Sequence, residues 1–413
     1  MIRRRSWAAL LGLLAICAAG GHSQRLALHE SDRVVFYGDS ITAQRLYTRF
    51  VEDFILTRYP QIHVEFCNAG IPGDTVYGGY TGDVPTRLGR DLFPHRPTVV
   101  TIMLGMNDGY YMAFDEKYLD NYKDGYHKLL SAIENGAPTA RLTLISSTPY
   151  DEITHGTEFS GYNEVVSRYS AAVRDLAMSS HLAFSNFNEV ETDLLHAGIQ
   201  KNSSLAALLV PDRIHPAEAS HWVMAAALAS SWNVSPIVSS VQLDATSGKA
   251  VAVNNTQVTD LMIVNGESQW TQTDAALPLP LALDDAMIQF VLNNSALAAM
   301  DQELLRVTNL PAAGYVLKID GKVVAPFTRE QLSSGVNLAL YATPMEEQAK
   351  GVDGLELKRT RLDEARFLLG IEDPKVASPA AAMGALDEKD ALLAAEQRET
   401  VQPKPHRFEL SPE

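Results

Sequence analysis

Short apolar segments alternate with longer amphipathic segments from about residue 30 to residue 234, and no other feature limits the possible folds so strongly. The apolar segments are of strand length and rich in β-branched and aromatic residues: Arg33–Tyr37, His63–Asn68, Thr98–Leu104, Arg141–Ser147 and Ala183–Asn186. Helical patterns cover Ala43–Tyr59, Tyr118–Asn135, Tyr162–Ser180 and Pro216–Trp232. Strands that alternate with helices form a parallel sheet covered on both faces. The sequence therefore predicts an α/β domain with a five-stranded parallel sheet over residues 30–234.

The composition of the chain changes after Pro236, where Val, Thr and Asn become frequent in short runs of alternating apolar and polar residues. The dipeptide Asp320-Gly321 lies between two apolar segments, which is a strong hairpin signal. A charged helical pattern runs from Pro344 to Leu369, and little periodicity follows it. We predict a small β-rich accessory region over residues 236–371 that ends in helix and packs against the first domain. Residues 374–413, rich in Ala, Glu, Lys and Pro, are predicted to form a disordered tail.

The N-terminal segment has the pattern of a secretory signal peptide. Arginines at positions 3–5 precede an apolar stretch over residues 7–19, and small residues follow. We expect residues 1–23 to be removed and the protein to be secreted or periplasmic, with no stable membrane span left after cleavage. A retained N-terminal anchor is the rival interpretation. Cys17 suggests a lipoprotein signal with a lipid anchor on this cysteine, but Ile16 occupies a position at which such a signal needs a small residue.

Charge and cysteine content exclude several classes of protein. The formal net charge of −16 gives no basic surface for nucleic acid. Once Cys17 leaves with the signal peptide, Cys67 stands alone, so an intramolecular disulfide is excluded in the cleaved chain. No Cys/His cluster has the spacing of a zinc site. We therefore expect no metal site.

Four short polar motifs follow or separate the predicted elements. They are Gly38-Asp39-Ser40, the stretch NAGIPGDT with Gly70, the stretch LGMNDG with Asn107, and the stretch PDRIHP with Asp212 and His215. The first three follow strands, and the carboxyl ends of parallel strands meet at one edge of a sheet. We therefore expect the motifs to converge there. Ser40 by itself could be no more than a helix N-cap.

The residue types in these motifs fit nucleophilic catalysis. A serine hydroxyl is a weak nucleophile until a base takes its proton, and His215 can be that base for Ser40. Asp212, three residues earlier, can reach Nδ1 of His215 and fix the tautomer that leaves Nε2 facing the serine. Attack on a carbonyl creates an oxyanion that needs hydrogen-bond donors. The Ser40 N–H at a helix N-terminus, the Gly70 N–H and the Asn107 amide can supply three.

Together the four motifs resemble the sequence blocks of the SGNH hydrolases, the GDSL-type esterases and lipases. Gly38-Asp39-Ser40 is similar to the nucleophile block, Gly70 to the glycine block, Gly105-x-Asn107-Asp108 to the asparagine block, and Asp212-x-x-His215 to the last block. The resemblance covers about residues 30–234, with the blocks in the family's order. It implies a flavodoxin-like three-layer fold and ester hydrolysis without a cofactor. Ile41 replaces the leucine that names the family, at a position of packing rather than of chemistry.

We therefore expect a secreted serine esterase that hydrolyses an acyl ester of a small molecule or polysaccharide. The loops around the motifs are polar and rich in glycine, which favours a short acyl or acetyl group on carbohydrate over a long lipid chain. A lipase, lysophospholipase or thioesterase with the same machinery is the alternative. A non-catalytic binding protein on an esterase scaffold is a further one, in which the β-rich region would be the working part.

Overall fold

The computed structural model describes residues 25–157, 161–264, 266–372 and 379–413 of the 413-residue chain. The predicted signal peptide, with Cys17, lies outside the described residues. Within the described ranges, no helix combines the length and the apolar character that crossing a membrane requires.

A five-stranded parallel sheet forms the centre of the first domain, with strand order β2-β1-β5-β6-β7. Its strands are β1 (Asp32–Gly38), β2 (Val64–Gly70), β5 (Val99–Met103), β6 (Arg141–Ile145) and β7 (Ala183–Ser185), and a small ladder of β3 (Gly78–Gly79) and β4 (Gly82–Asp83) precedes β5. Every residue of β5 is buried, as in a strand covered on both faces. All five predicted strands are confirmed, each within two residues of its expected bounds.

Within the described residues, seven α-helices accompany this sheet, besides a π-helix (Leu88–Leu92) and a 3₁₀-helix (Phe93–His95). They are α1 (Ser40–Ala43), α2 (Leu46–Arg58), α3 (Val84–Arg87), α4 (Glu116–Gly136), α5 (Tyr162–Ser179), α6 (Phe187–Ala206) and α7 (Glu218–Ser231). Helices α2, α6 and α7 pack together, and so do α4 and α5. The four predicted helices correspond to α2, α4, α5 and α7. Helix α6 was missed. Its regular pattern is broken at Asn202, which has φ −159° and ψ 96° inside the helix.

The accessory region contains a five-stranded and a four-stranded sheet, as its β-rich composition predicts. Its strands are β8 (Ile237–Asp244), β9 (Lys249–Asn254), β10 (Thr256–Val264), β11 (Glu267–Asp274), β12 (Gln302–Thr308), β13 (Gly314–Ile319), β14 (Lys322–Thr328), β15 (Val336–Asn337) and β16 (Pro405–Pro412). Its helices are α8 (Ala286–Asn294), α9 (Arg329–Ser334), α10 (Pro344–Glu372) and α11 (Pro379–Thr400). The predicted hairpin joins β13 to β14, where Asp320 and Gly321 have φ values of 52° and 76°.

The end of the described chain corrects the prediction of a disordered tail over residues 374–413. Residues 379–400 form α11, and β16 lies in the interior of the five-stranded sheet between β11 and β13. Phe408 and Leu410 of β16 are buried, and the ring of Phe408 stacks on Trp270 with 5.0 Å between centroids. The Ala- and Glu-rich composition that suggested disorder is that of helix α11. In β16 the alternation of apolar and polar residues is too short to predict a strand, because the strand depends on partners far away in the chain.

Ion pairs dock the accessory region on the first domain. Three arginines of the first domain each pair with a carboxylate of the accessory region: Arg45 with Asp363, Arg49 with Asp353 and Arg58 with Asp301. The pair of Arg58 and Asp301 spans 3.0 Å, and its side chains are only 1% and 0% exposed. Removing one partner of such a buried pair costs about 3–5 kcal/mol because a charge is left without compensation. The accessory region therefore packs firmly against the first domain.

Candidate active site

Ser40 stands where the first strand of the sheet turns into a helix. Asp39 is the N-cap of α1, and its side chain accepts a hydrogen bond from the Ile41 N–H at 3.0 Å. Gly38 allows α1 to pack this close to the strand, because a Cβ there would lie 2.2 Å from Thr42 Oγ1. The capping role that Ser40 could have filled thus belongs to Asp39, and the Ser40 hydroxyl is left for another partner.

That partner is His215, and Asp212 completes a chain of hydrogen bonds. Ser40 Oγ lies 2.8 Å from Nε2 of His215, and Nδ1 of the same ring lies 2.7 Å from Asp212 Oδ2. Asp212 Oδ1 accepts from the backbone N–H groups of Ile214 at 3.0 Å and His215 at 2.7 Å. The carboxylate therefore fixes both the loop and the imidazole. The structure brings the three predicted residues together in the order that proton transfer from a serine requires.

The charge of Asp212 is favoured in this position. Partial burial raises the pKa of its carboxyl group, but hydrogen bonds from the backbone and ring of His215, with that from the Ile214 N–H, outweigh the burial. The pKa of Asp212 consequently lies below the usual value for an aspartate. An ionised carboxylate beside Nδ1 keeps the proton on that nitrogen and leaves Nε2 as the acceptor.

Asn107 lies in the loop that follows β5, and both ends of its amide are held. Its Nδ2 donates to the Asp74 carbonyl oxygen at 3.0 Å, and its Oδ1 accepts from the Tyr111 hydroxyl at 3.0 Å. An amide nitrogen carries two hydrogens, so one N–H remains for a further acceptor. The neighbouring Asp108 ties the same two loops together, because its Oδ1 accepts from the Val76 N–H at 2.9 Å.

The structure contradicts the assignment of Gly70 as an oxyanion donor. Its N–H donates to Asn68 Oδ1 at 3.0 Å, so the donor is already occupied. Gly70 is buried beneath α1, where a Cβ would lie 2.4 Å from the Ala43 nitrogen. The glycine is needed here because the helix backbone passes so close, and the contact concerns packing rather than chemistry.

Gly73 is a candidate donor that the sequence reasoning missed. It is exposed and has φ +76°, in a turn closed by the Asp74 N–H on the Ile71 carbonyl oxygen at 3.3 Å. The Gly73 N–H makes no hydrogen bond within the described part of the chain. The carbonyl oxygen of the next residue, Asp74, accepts a hydrogen bond from Asn107 Nδ2. The signal was the Pro72-Gly73 pair, which is typical of a type II turn with positive φ at its second central residue.

Buried carboxyl groups support the loops from below. Burial raises the pKa of Asp39 and of Asp108 to about 7, and the charges of neighbouring aspartates add to the effect. Asp74 pairs with Arg87 at 2.8 Å, yet its burial still raises its pKa to about 6. Asp39 and Asp108 accept from backbone N–H groups, so they hold the loop geometry. Among the residues described, no group of three or more His, Cys, Asp or Glu is placed to hold a metal ion.

Known proteins resemble this chain in sequence and in fold. Residues 36–223 match the sequence model of the GDSL-like lipase/acylhydrolase family. An acetylxylan esterase from Geobacillus stearothermophilus is 25% identical over 227 residues, which are 49% of this chain and 94% of that protein. The structure of a gut microbial diltiazem-metabolizing enzyme, 24% identical, superposes with a TM-score of 0.81 over 94% of this chain and 98% of the other. That superposition shows a shared fold that includes the accessory region.

Proposed function

We propose that this protein removes short acyl groups, above all acetyl, from carbohydrate. The chain belongs through residues 36–223 to the GDSL-like lipases and acylhydrolases and is a carboxylic ester hydrolase. The observation that carries the mechanism is the continuous hydrogen-bond chain from Ser40 through His215 to Asp212. Each link has the length of a normal hydrogen bond, and the serine lies at a helix N-terminus.

Acylation begins when Ser40 Oγ attacks the acyl carbon and its proton passes to Nε2 of His215. Asp212 stabilises the imidazolium that forms. The carbonyl oxygen becomes an oxyanion, which accepts hydrogen bonds from the Ser40 N–H, the Asn107 amide and the Gly73 N–H. When the tetrahedral intermediate collapses, the alcohol oxygen leaves with the proton from His215.

Deacylation repeats these steps with water as the nucleophile. His215 takes a proton from the water as its oxygen attacks the acyl carbon, and the same donors hold the second oxyanion. The imidazolium then returns the proton to Ser40 Oγ as the carboxylic acid departs. Apart from the ester and water, the groups that act in these steps belong to the chain.

The surroundings of the site support a carbohydrate substrate. Tyr80 is 78% exposed at the tip of the small hairpin formed by β3 and β4. That hairpin packs on the loop of Asp74, because a Cβ at Gly79 would lie 2.6 Å from Asp74 Oδ1, and the Asp74 carbonyl oxygen accepts from Asn107. An exposed aromatic ring presents an apolar face on which a sugar ring can stack. The name of the Geobacillus relative, an acetylxylan esterase, points to the same class of substrate.

We expect Asn107→Ala to lower kcat by about 10²–10³-fold with little change in KM, because the amide donor acts on the oxyanion rather than on the bound ester. Steady-state kinetics with p-nitrophenyl acetate measure this. Normal kcat together with a much higher KM would move Asn107 into a binding role.

We expect Tyr80→Ala to raise KM for acetylated xylan by about 2- to 10-fold, which is what one aromatic contact is worth. Values for p-nitrophenyl acetate should stay unchanged, because that ester is too small to reach the hairpin. Tyr80→Phe is the matched control, since it keeps the ring and should keep KM. Equal effects of Tyr80→Ala on both esters would remove Tyr80 from the polysaccharide site.

A series of p-nitrophenyl esters from acetate to palmitate, run beside acetylated xylan and pectin, separates the proposed substrate from the alternatives. A rate that rises with chain length would favour a lipase or lysophospholipase.

We also propose that the protein is secreted or periplasmic after loss of about residues 1–23. N-terminal sequencing of protein recovered from outside the cytoplasm of an expression host tests this, and an intact Met1 would contradict it.

A further inference from the structure

Tyr111 contacts the oxygen of the Asn107 amide from the side opposite Asp74. Its hydroxyl donates to Asn107 Oδ1 at 3.0 Å, and Nδ2 of the same amide donates to the Asp74 carbonyl oxygen at 3.0 Å. Rotating the amide by half a turn would place its oxygen against the Asp74 carbonyl oxygen and break that bond, and the Tyr111 hydroxyl could then keep its contact only as an acceptor. The Asp74 carbonyl therefore selects the orientation and the Tyr111 hydroxyl holds it, with the second N–H of Nδ2 left to point elsewhere.

An unusual backbone conformation brings Tyr111 to this position. Tyr110 and Tyr111 have φ values of 54° and 57°, two left-handed residues in succession, and neither is glycine. Such conformations cost on the order of 1–3 kcal/mol each and persist where the surroundings impose them. The turn is closed by the Tyr110 N–H on the Asn107 carbonyl oxygen and by the Met112 N–H on the Gly109 carbonyl oxygen, both at 3.1 Å. It folds the chain back, so that residue 111 meets residue 107.

Packing fixes the ring of Tyr111 as well. The ring lies 4.9 Å from that of Tyr162 and 6.3 Å from that of Tyr150, measured between centroids. The Tyr162 hydroxyl in turn donates to the Met106 carbonyl oxygen at 2.7 Å, next to Asn107 in the chain. Burial, with the charges of Asp39 and Asp212, raises the pKa of Tyr111 to about 12. The hydroxyl therefore keeps its proton, and remains a donor, over the range in which esterases work.

We propose that Tyr111 is a positioning residue of the hydrolytic reaction: it holds the Asn107 amide so that one N–H serves Asp74 and the other faces the developing oxyanion. Tyr111 acts through Asn107 and does not itself touch the reacting atoms. The inference rests on the proposed role of Asn107. A preorganised donor needs no reorientation in the transition state, so the contribution of Tyr111 belongs to kcat rather than to substrate binding.

The variant Tyr111→Phe keeps the ring and removes only the hydroxyl. With p-nitrophenyl acetate we expect kcat to fall about 3- to 10-fold with KM little changed, in line with one lost hydrogen bond. The adjacent Tyr110 is left-handed too but 60% exposed, so Tyr110→Phe is a matched control that should keep both parameters. In an Asn107→Ala background, adding Tyr111→Phe should have no further effect, because the amide that it positions is gone.

The cycle of the two single variants and the double variant separates failure of this inference from failure of the proposed oxyanion donor. An equal loss from Tyr111→Phe with and without Asn107 would overturn the positioning role and leave the role of Asn107 intact. A raised KM at normal kcat would overturn it too. If Asn107→Ala alone kept full kcat, the assignment of Asn107 would fall and the inference with it.

Discussion

Replacing Ser40 with alanine should lower kcat about 10⁶-fold, the loss seen when a serine hydrolase loses its nucleophile. His215 Nε2 lies 2.8 Å from Ser40 Oγ, so the base is placed to take the proton of this hydroxyl, which the variant lacks. The fold should be unaffected. The side chain that caps α1 is that of Asp39, so the variant loses no helix cap, and its unfolding midpoint should match that of the wild type.

Two measurements on the Ser40→Ala protein check this expectation. Hydrolysis of p-nitrophenyl acetate gives the residual rate, and covalent labelling by a fluorophosphonate shows whether an activated serine remains. Labelling that persisted in the variant would assign the nucleophile to another serine. A thermal unfolding curve run beside the wild type distinguishes a chemical loss from a folding defect.

Asp212→Asn should lower kcat by about 10⁴-fold, a smaller loss than removal of His215, after which no base remains. The asparagine oxygen can still accept from the N–H groups of Ile214 and His215, so the loop should keep its shape. Its NH₂ group would then face Nδ1 of His215 and force the proton onto Nε2. In that tautomer the imidazole cannot accept the proton of Ser40.

The same kinetic assay with His215→Ala and Asp212→Asn tests this order of losses. Asp175→Asn is a suitable control, because Asp175 is an exposed carboxylate on α5 whose ion pair is with the adjacent Arg174. That variant should behave as wild type. Full kcat in Asp212→Asn would mean that the contact between Asp212 and His215 does not contribute to the reaction.

The sequence was sufficient for the central sheet and for the convergence of Ser40, His215 and Asp212. Local periodicity identifies buried strands, and strand direction alone decides which loops share an edge. Ser40 lies in one motif and Asp212 and His215 in another, and the four motifs in the order of the SGNH hydrolase blocks made these residues recognisable without coordinates. What the sequence could predict was therefore whatever depends on the residue itself and its near neighbours along the chain.

The errors concern features that depend on distant or competing contacts. Whether the N–H of Gly70 is free depends on the Asn68 side chain, which no pattern in the sequence orients. Gly73 could have been favoured from its turn, but only the coordinates show its carbonyl neighbour in contact with Asn107. The strand character of β16 depends on pairing with β11 and β13, far away in the chain. Composition alone, without those partners, favoured a disordered tail.

The interior place of β16 also affects how this protein must be made. The first domain is complete once α7 has been synthesised and can fold while the ribosome is still working. The five-stranded sheet of the accessory region cannot close until residues 405–412 have left the exit tunnel. Until then β11 and β13 present unpaired edges, with Trp270 deprived of its stacking partner, and such edges invite mispairing. A premature stop codon before residue 405 would thus leave a sheet split in two, rather than a slightly shorter enzyme.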